Sequence, residues 1–179
     1  DAAGGLPQAM AQISQLLSVG LDQTVQQVEA AIFRDNLIAN SEWTTVGAAL
    51  TGGSKTDKEQ GARFHALVAL TGTELLDTYL DIFCTSKREK AKDRIVTGTM
   101  QKSHPDLCQR LHQERDRVWA LVQHKRAIET RDRSVALFTI AHAVIARFRA
   151  DKDRRGLLDY EDLIDKTLEL LNNVSAAWV

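Results

Sequence analysis

The sequence predicts an all-α fold, a multi-helix bundle with one long helix, and three observations support this prediction. Apolar residues recur at spacings of three, four and seven, which is the period of an amphipathic helix. The 179 residues include ten Gly and only two Pro, so few residues break helices. No stretch has the apolar–polar alternation of a half-buried strand. With 44% hydrophobic and 26% charged residues, the composition is that of a globular protein with a packed core.

Residues 1–84 are predicted to form a bundle of five short helices. Pro7 suits the first turn of the first helix, where a backbone N–H is not needed, and Gly20 ends that helix. Asp22 is the predicted N-cap of the second helix. The dipeptide Asn40–Ser41 begins the third helix, and the fourth and fifth follow it.

The stretch "TGGSKTDKEQ" between the third and fourth helices contains Gly-Ser-Lys-Thr, which suggests a phosphate-binding loop. Such a loop needs G-x-x-x-x-G-K-[ST] between a strand and a helix. Here Ala49 and Ser54 occupy the two glycine positions, and a helical pattern precedes them. We therefore interpret the stretch as a turn at Gly52–Gly53 followed by a helix start, with Thr56 as N-cap and Glu59 at N3.

Residues 85–104 are predicted to be a basic connecting loop, and residues 105–155 one long helix. The loop is polar and interrupted by Gly98, and we expect it to be mobile, with one helical turn left open as an alternative. The long segment contains no Gly and no Pro after Pro105. A continuous helix of about 45 residues would be about 68 Å long. The polar sequence near residue 130 leaves a kink open as an alternative.

Residues 156–179 are predicted to form a return helix after a C-cap at Gly156. Asp159 is the predicted N-cap, with Asp162 in the first turn, where the helix dipole favours negative charge. A divalent-ion site formed by Asp159, Asp162 and Asp165 is the alternative, but such sites usually gather more ligands. The predicted buried stripe of this helix consists of Leu163, Ile164, Leu168 and Leu171.

No catalytic residue and no metal site are predicted. Cys108 and His112 have a zinc-compatible spacing, but a structural site needs two further ligands, so a half-buried Cys and a surface His are preferred. His142 is predicted to be a core histidine. The cysteines Cys84 and Cys108 do not form a disulfide framework, and neither a signal peptide nor a membrane span is recognisable, so we expect a cytoplasmic protein.

The net charge of -1 conceals a basic middle between acidic flanks. Residues 87–94 contain five basic and two acidic residues, and residues 110–155 contain twelve basic and six acidic residues. A nucleic-acid surface has this character, although a solvated long helix has it too. The candidate DNA contacts are Lys87, Arg88, Lys90, Lys92 and Arg94 in the loop and Lys125 and Arg126 on the long helix, with Arg131 and Arg133 nearby.

Three stretches together resemble a known family: "SHPDLCQRLHQERDRVWALVQHKRA", "LFTIAHAVIARFRADKDRRGLLDYEDLIDKTLELL" and the final "AAWV". The resemblance is to the AddA subunits of bacterial double-strand-break repair helicase–nucleases, in the UvrD-like superfamily, and it covers residues 79–179. In that family an Asp-aromatic-acid-Asp-Leu-Leu/Ile stretch leads back into the motor domain. The matching residues here are Asp159, Tyr160, Glu161, Asp162, Leu163 and Ile164.

The resemblance implies that the chain is a helical subdomain inserted in a RecA-like motor domain. The parent would be an ATP-dependent 3′-to-5′ DNA helicase and exonuclease that acts in recombinational repair with ATP, Mg and an AddB-like subunit. The ATPase and nuclease motifs of that family do not occur in this sequence. We therefore expect this internal segment to contact DNA without regard to base sequence, but to be inactive alone and to hold no cofactor. The alternative is a self-contained helical interaction module, suggested by the apolar run from Val118 to Ile145.

Overall fold

The computed structural model describes residues 5–173, and over that range it confirms an all-α protein with one long helix. Within this range there are eight α-helices, a 3-10 turn at Asn40–Glu42 and no strand. The helices are α1 Gly5–Leu16, α2 Val25–Arg34, α3 Trp43–Thr51, α4 Lys55–Leu67, α5 Gly72–Phe83, α6 Gly98–Ser103, α7 Pro105–Arg155 and α8 Tyr160–Asn173. None of the described helices is long and apolar enough to cross a membrane.

The backbone divides into two compact units. The first unit comprises residues 11–132, and the second comprises the described parts of residues 1–10 and 133–179. Helix α7 contributes residues 105–132 to the first unit and residues 133–155 to the second.

The core of the first unit is built around the ring of Tyr79. Its centroid lies 5.2 Å from that of Phe33, 6.0 Å from that of Trp43 and 5.2 Å from that of Phe83. Further fully buried side chains come from every part of the unit: Ile32, Ile38, Leu50, Phe64, Ile82, Ile95, Leu111 and Val118. Because this core collects residues from α2 to α7, the first half of the long helix is a structural centre of the fold.

Helices α3 and α4 approach closely where each carries a glycine. A Cβ on Gly61 would lie 2.7 Å from the backbone oxygen of Gly47, and a Cβ on Gly47 would lie 2.9 Å from the ring of His65. Neither contact can be accommodated without a backbone shift or a ring displacement. The two helices therefore need glycine at their crossing.

Two predicted helix starts are displaced by two residues in the structure. Helix α2 is capped by Thr24 rather than Asp22: Thr24 Oγ1 accepts from Gln27 N at 3.3 Å, and Gln27 Oε1 accepts from Thr24 N at 3.0 Å. Helix α4 begins at Lys55, with Ser54 rather than Thr56 as N-cap. The carboxylate at N3 is therefore Asp57, which accepts from the backbone N and the Oγ of Ser54, both at 2.9 Å.

Residues 85–104 are packed into the core of the first unit, in contrast to the expected mobile loop. The side chains of Ile95, Val96 and Met100 are at most 3% exposed. Thr97 donates to the carboxylate of Asp57 from its backbone N at 2.8 Å and from its Oγ1 at 2.6 Å. These contacts join the segment to the start of α4 and explain why Asp57 is buried.

The turn between α7 and α8 is closed by local hydrogen bonds in the second unit. Gly156 has a φ of 63°, and the N–H groups of Gly156 and Leu157 donate to the carbonyls of Asp153 and Lys152 at 3.2 and 3.0 Å. Asp159 and Asp162 cap α8 reciprocally, each accepting from the backbone N of the other at 3.0 and 2.9 Å. Lys152 forms ion pairs with both carboxylates, which keeps the pKa of Asp159 below its usual range.

The apolar side chains of the second unit remain largely exposed, so the predicted burial of the α8 stripe is wrong for the described residues. His142 is exposed as well, contrary to its prediction as a core histidine. We call Leu137, Phe138, Ile140, Val144, Ile145 and Phe148 the α7 stripe, and Tyr160, Leu163, Ile164, Leu168, Leu170 and Leu171 the α8 stripe. Every member is between 48% and 80% exposed, because no described element of this unit covers it.

Candidate nucleic-acid interface

Four polar side chains of α7, spaced seven residues apart, bind the turns of residues 20–42. They are Arg110, Arg117, His124 and Arg131. Arg110 donates to the carbonyl of Leu37 at 2.8 Å, and Arg117 donates to that of Ile32 at 2.6 Å. His124 lies 3.1 Å from the side-chain oxygen of Gln23, and Arg131 donates to the carbonyl of Gln23 at 2.7 Å. These groups supply donors to carbonyls at helix ends and turns, which lack partners within a helix.

This row of side chains, which we call the α7 arginine ladder, accounts for much of the basic character of residues 110–132. Arg131 is 6% exposed and also donates to the carbonyls of Gly20 and Leu21, so it is buried as a structural anchor. Arg110 is paired with Glu42, which raises the pKa of the guanidinium. Cations that already bind backbone carbonyls or a carboxylate are poorly available to phosphate.

Glu114 lies beside the ladder as a fully buried carboxylate. It accepts from the hydroxyl of Tyr79 at 2.6 Å, from the backbone N of Leu37 at 3.0 Å and from Arg117 at 2.6 Å. Burial and the neighbouring carboxylate raise the pKa of Tyr79, while the hydrogen bond to Glu114 raises that of Arg117. Every partner is thereby satisfied, which is the condition for burying charge.

Four of the seven predicted DNA contacts line one shallow depression in the first unit. Lys87 and Arg88 approach it from the loop, and Lys125 and Arg126 approach it from α7. The depression has a volume of about 250 Å³, and its other lining residues are Leu80, Val122 and Glu129. Cations from segments 38 residues apart in sequence therefore meet at one place on the surface.

The four cations of the depression differ in the ion pairs and hydrogen bonds that they already form. Arg88 is paired with Asp77 at 2.9 Å, and Lys125 is paired with Glu29 at 2.6 Å. Arg126 lies over the ring of Trp119, with its Cζ 5.6 Å from the centroid, and donates to the carbonyl of Arg88. Lys87 is exposed and has no ion pair among residues 5–173. The depression thus offers Lys87 and Arg126 as cations without an acidic partner in the described chain.

The remaining three predicted contacts lie outside the depression. Lys90 is exposed and paired with Asp93 at 2.9 Å. Lys92 is half-buried and donates to the carbonyl of Asp81, and burial lowers its pKa. Arg94 is exposed, with no ion pair in the described part of the chain. Lys92 is therefore occupied in holding the loop, whereas Lys90 and Arg94 point to solvent.

Sequence inspection missed the residues that hold the loop in place. Arg115 donates to the carbonyls of Lys92 and Asp93, both at 3.3 Å, so α7 fixes the loop backbone. Arg88 adopts a φ of 55°, a conformation that residues with a Cβ rarely take.

The arginines of the α7 arginine ladder could have been identified as structural from the sequence, because Arg110, Arg117 and Arg131 lie at multiples of seven residues.

The described residues contain no cluster of three or more His, Cys, Asp or Glu side chains that could hold a metal ion. Burial raises the pKa of both the Cys84 and the Cys108 thiol, which disfavours the reactive thiolate. Of the family-motif residues, Asp159 and Asp162 form the helix cap, while Tyr160 and Leu163 are 80% and 50% exposed. The final "AAWV" of the resemblance, residues 176–179, lies outside the described residues.

Comparisons with protein families, with curated proteins and with solved structures give no significant match to this chain.

Proposed function

We propose that this chain is a DNA-contacting helical subdomain of an ATP-dependent 3′-to-5′ DNA helicase–exonuclease that acts in double-strand-break repair by recombination. One observation carries the DNA contact: Lys87, Arg88, Lys125 and Arg126 converge on one surface depression. The resemblance of residues 79–179 to AddA subunits supplies the class of enzyme. ATP and Mg would be bound by the parent's motor domain, and an AddB-like subunit would be its partner.

The depression suits binding to the DNA backbone without base recognition. Lys87 and Arg126 have no acidic partner in the described chain, and cations of this kind contact phosphate oxygens. The guanidinium of Arg126 lies over the ring of Trp119 and lines the depression. Arg88 and Lys125 are already paired with carboxylates, so they would share their charge with phosphate. We expect modest affinity that falls with salt.

Fluorescence anisotropy of a labelled forked DNA tests this proposal. The wild-type chain and a Lys87→Ala/Arg126→Gln double variant are titrated at about 50 and 200 mM salt. Loss of two phosphate contacts should reduce the slope of log affinity against log salt by about 1.8, since each contact contributes about 0.9. Gln at position 126 removes the charge but keeps a polar N–H donor on the side chain.

The matched control is Lys55→Ala/Lys58→Ala, which removes two exposed cations of α4 outside the depression. This variant loses the same net charge and should keep the wild-type slope. An equal change of slope in the two double variants would contradict a localised interface. No binding by the wild-type chain at low salt would exclude DNA contact by this subdomain.

A second candidate function is protein–protein association through the second unit, and the exposed α7 and α8 stripes favour it. Monomeric soluble proteins rarely leave apolar patches larger than about 300–600 Å² uncovered. Sedimentation equilibrium of the chain with a candidate partner tests this function. A mass that never exceeds that of the separate chains would count against it.

A further inference from the structure

The second unit carries two apolar faces whose exposed area is larger than the apolar area that a monomeric protein usually leaves uncovered. The α7 stripe and the α8 stripe contain twelve large side chains, each at least 48% exposed. With roughly half of the about 150–250 Å² of a large side chain exposed on each, twelve side chains reach the order of the about 800 Å² per partner that a standard protein interface buries. The exposed area is therefore sufficient for a stable interface.

Both stripes have the geometry of bundle helices. Leu137, Val144 and Phe148 of α7 recur at intervals of seven and four, and Ile164, Leu168 and Leu171 of α8 recur at intervals of four and three. The turn at Gly156 and the Lys152 ion pairs join the two helices. Helices with apolar stripes joined by short loops are the components of four-helix bundles.

The charges beside the stripes are complementary to each other. At helical spacing, Arg147 and Arg149 lie at the two edges of the α7 stripe, while Glu161 and Asp165 lie along one edge of the α8 stripe. None of these four side chains has an ion pair within residues 5–173. One chain therefore presents an unpaired basic face and an unpaired acidic face.

From this complementarity we infer that the occupant of the stripes is a second copy of this chain. In a two-fold arrangement the acidic edge of α8 in one copy meets the basic edges of α7 in the other, and the converse pair forms by symmetry. The two copies would contribute residues 134–155 and α8 each, giving a four-helix bundle with the stripes inside. This inference rests on the second proposed function, protein–protein association, and does not depend on DNA binding.

Sedimentation equilibrium of the 179-residue chain tests the inference. The wild-type chain should be dimeric at about 100 µM and dissociate on dilution, as expected for an interface of standard size. Val144→Asp places a carboxylate in the centre of the α7 stripe and should weaken the dimer at least about a hundredfold. Ala146→Asp is the matched control, because Ala146 is exposed on the opposite face of α7 and should leave the dimer unchanged.

A mixing experiment identifies the second copy as the source of the charges. Arg147→Glu/Arg149→Glu and Glu161→Lys/Asp165→Lys should each weaken self-association by about tenfold, since they oppose like charges. Mixing the two variants should restore association, because the reversed charges are complementary between copies. Restoration supports the inference, and its absence in two folded variants overturns it.

A monomeric wild-type chain at the highest concentration, or a Val144→Asp variant as dimeric as wild type, would also overturn the inference. Binding of an apolar fluorescent dye then separates this failure from that of protein–protein association in general. A monomer whose dye binding is lowered by Val144→Asp still offers the α7 stripe to another protein. A monomer without dye binding leaves neither proposal standing.

Discussion

Replacing Glu114 by Gln perturbs the buried polar network at the centre of the first unit. The substitution keeps the side-chain shape but replaces one carboxylate oxygen by an NH₂ group. Glu114 accepts from Tyr79, Leu37 and Arg117, and its side chain is 0% exposed. With a single carbonyl oxygen, Gln cannot accept all these bonds, and its NH₂ group faces donors.

The expected loss follows from the exposure of each partner. An unsatisfied buried donor costs about 1–3 kcal/mol, and breaking a fully buried ion pair costs about 3–5 kcal/mol. Arg117 keeps its bonds to the carbonyls of Ala31 and Ile32, and its side chain is 20% exposed, so water can partly replace the lost carboxylate. We therefore expect Glu114→Gln to lower the free energy of unfolding by about 3 kcal/mol.

Urea unfolding followed by far-ultraviolet circular dichroism measures this change. Glu59→Gln on the exposed surface of α4 is the matched control and should change the free energy by no more than about 0.5 kcal/mol. A double-mutant cycle with Tyr79→Phe should show coupling, because both substitutions remove the same 2.6 Å hydrogen bond. A loss below about 1 kcal/mol for Glu114→Gln would refute the view that this carboxylate organises the core.

Two further predictions concern α4. Burial alone would raise the pKa of Asp57, but the hydrogen bonds from Thr97 and Ser54 outweigh it and lower the pKa below 3.8. The stabilisation by the Asp57 carboxylate is present above its unfolded-state pKa and is lost as the pH falls through its lower folded-state pKa. Asp57→Asn should therefore lower the free energy of unfolding by about 2 kcal/mol at neutral pH and by less in acid. Urea unfolding across pH measures both costs. Gly61→Ala places a Cβ 2.7 Å from the oxygen of Gly47 and should cost about 2 kcal/mol, seen as a lower thermal midpoint; an unchanged midpoint would contradict the close crossing.

The helical class and the long helix were predictable because helical periodicity is a local property of the sequence. The cap of α4 was misplaced because Ser54 and Thr56 are equivalent as local signals, and only contacts with Thr97, 40 residues away, select Asp57 as the buried carboxylate. Residues 85–104 appeared mobile because their apolar side chains are few. Ile95, Val96 and Met100 are nevertheless buried by partners that a local pattern does not reveal.

For the candidate site, the sequence composition identified the basic residues but not the ion pairs and hydrogen bonds that each one forms. Lys87, Lys125 and Arg126 are basic residues that the sequence itself shows, yet their convergence depends on how α7 packs against the loop. The α8 stripe shows the complementary problem, since amphipathicity reveals that Leu168 and Leu171 share an apolar face but not what covers that face. Tertiary contacts determine both where the cations converge and what covers the apolar face.

The basic residues of α7 therefore have different partners in the two halves of the helix. In residues 105–132 the arginine ladder is directed towards backbone carbonyls, and removing one of its members should cost stability more than ligand affinity. In residues 133–155, Arg147 and Arg149 have no acidic partner in the described chain and flank an uncovered apolar stripe. An unpaired cation beside exposed apolar surface gains most from a partner that supplies both acid and apolar area, so this half supports the proposal of association. The proposed DNA contact would then fall to the depression beside the loop, where Lys87 and Arg126 meet without an apolar face of comparable size.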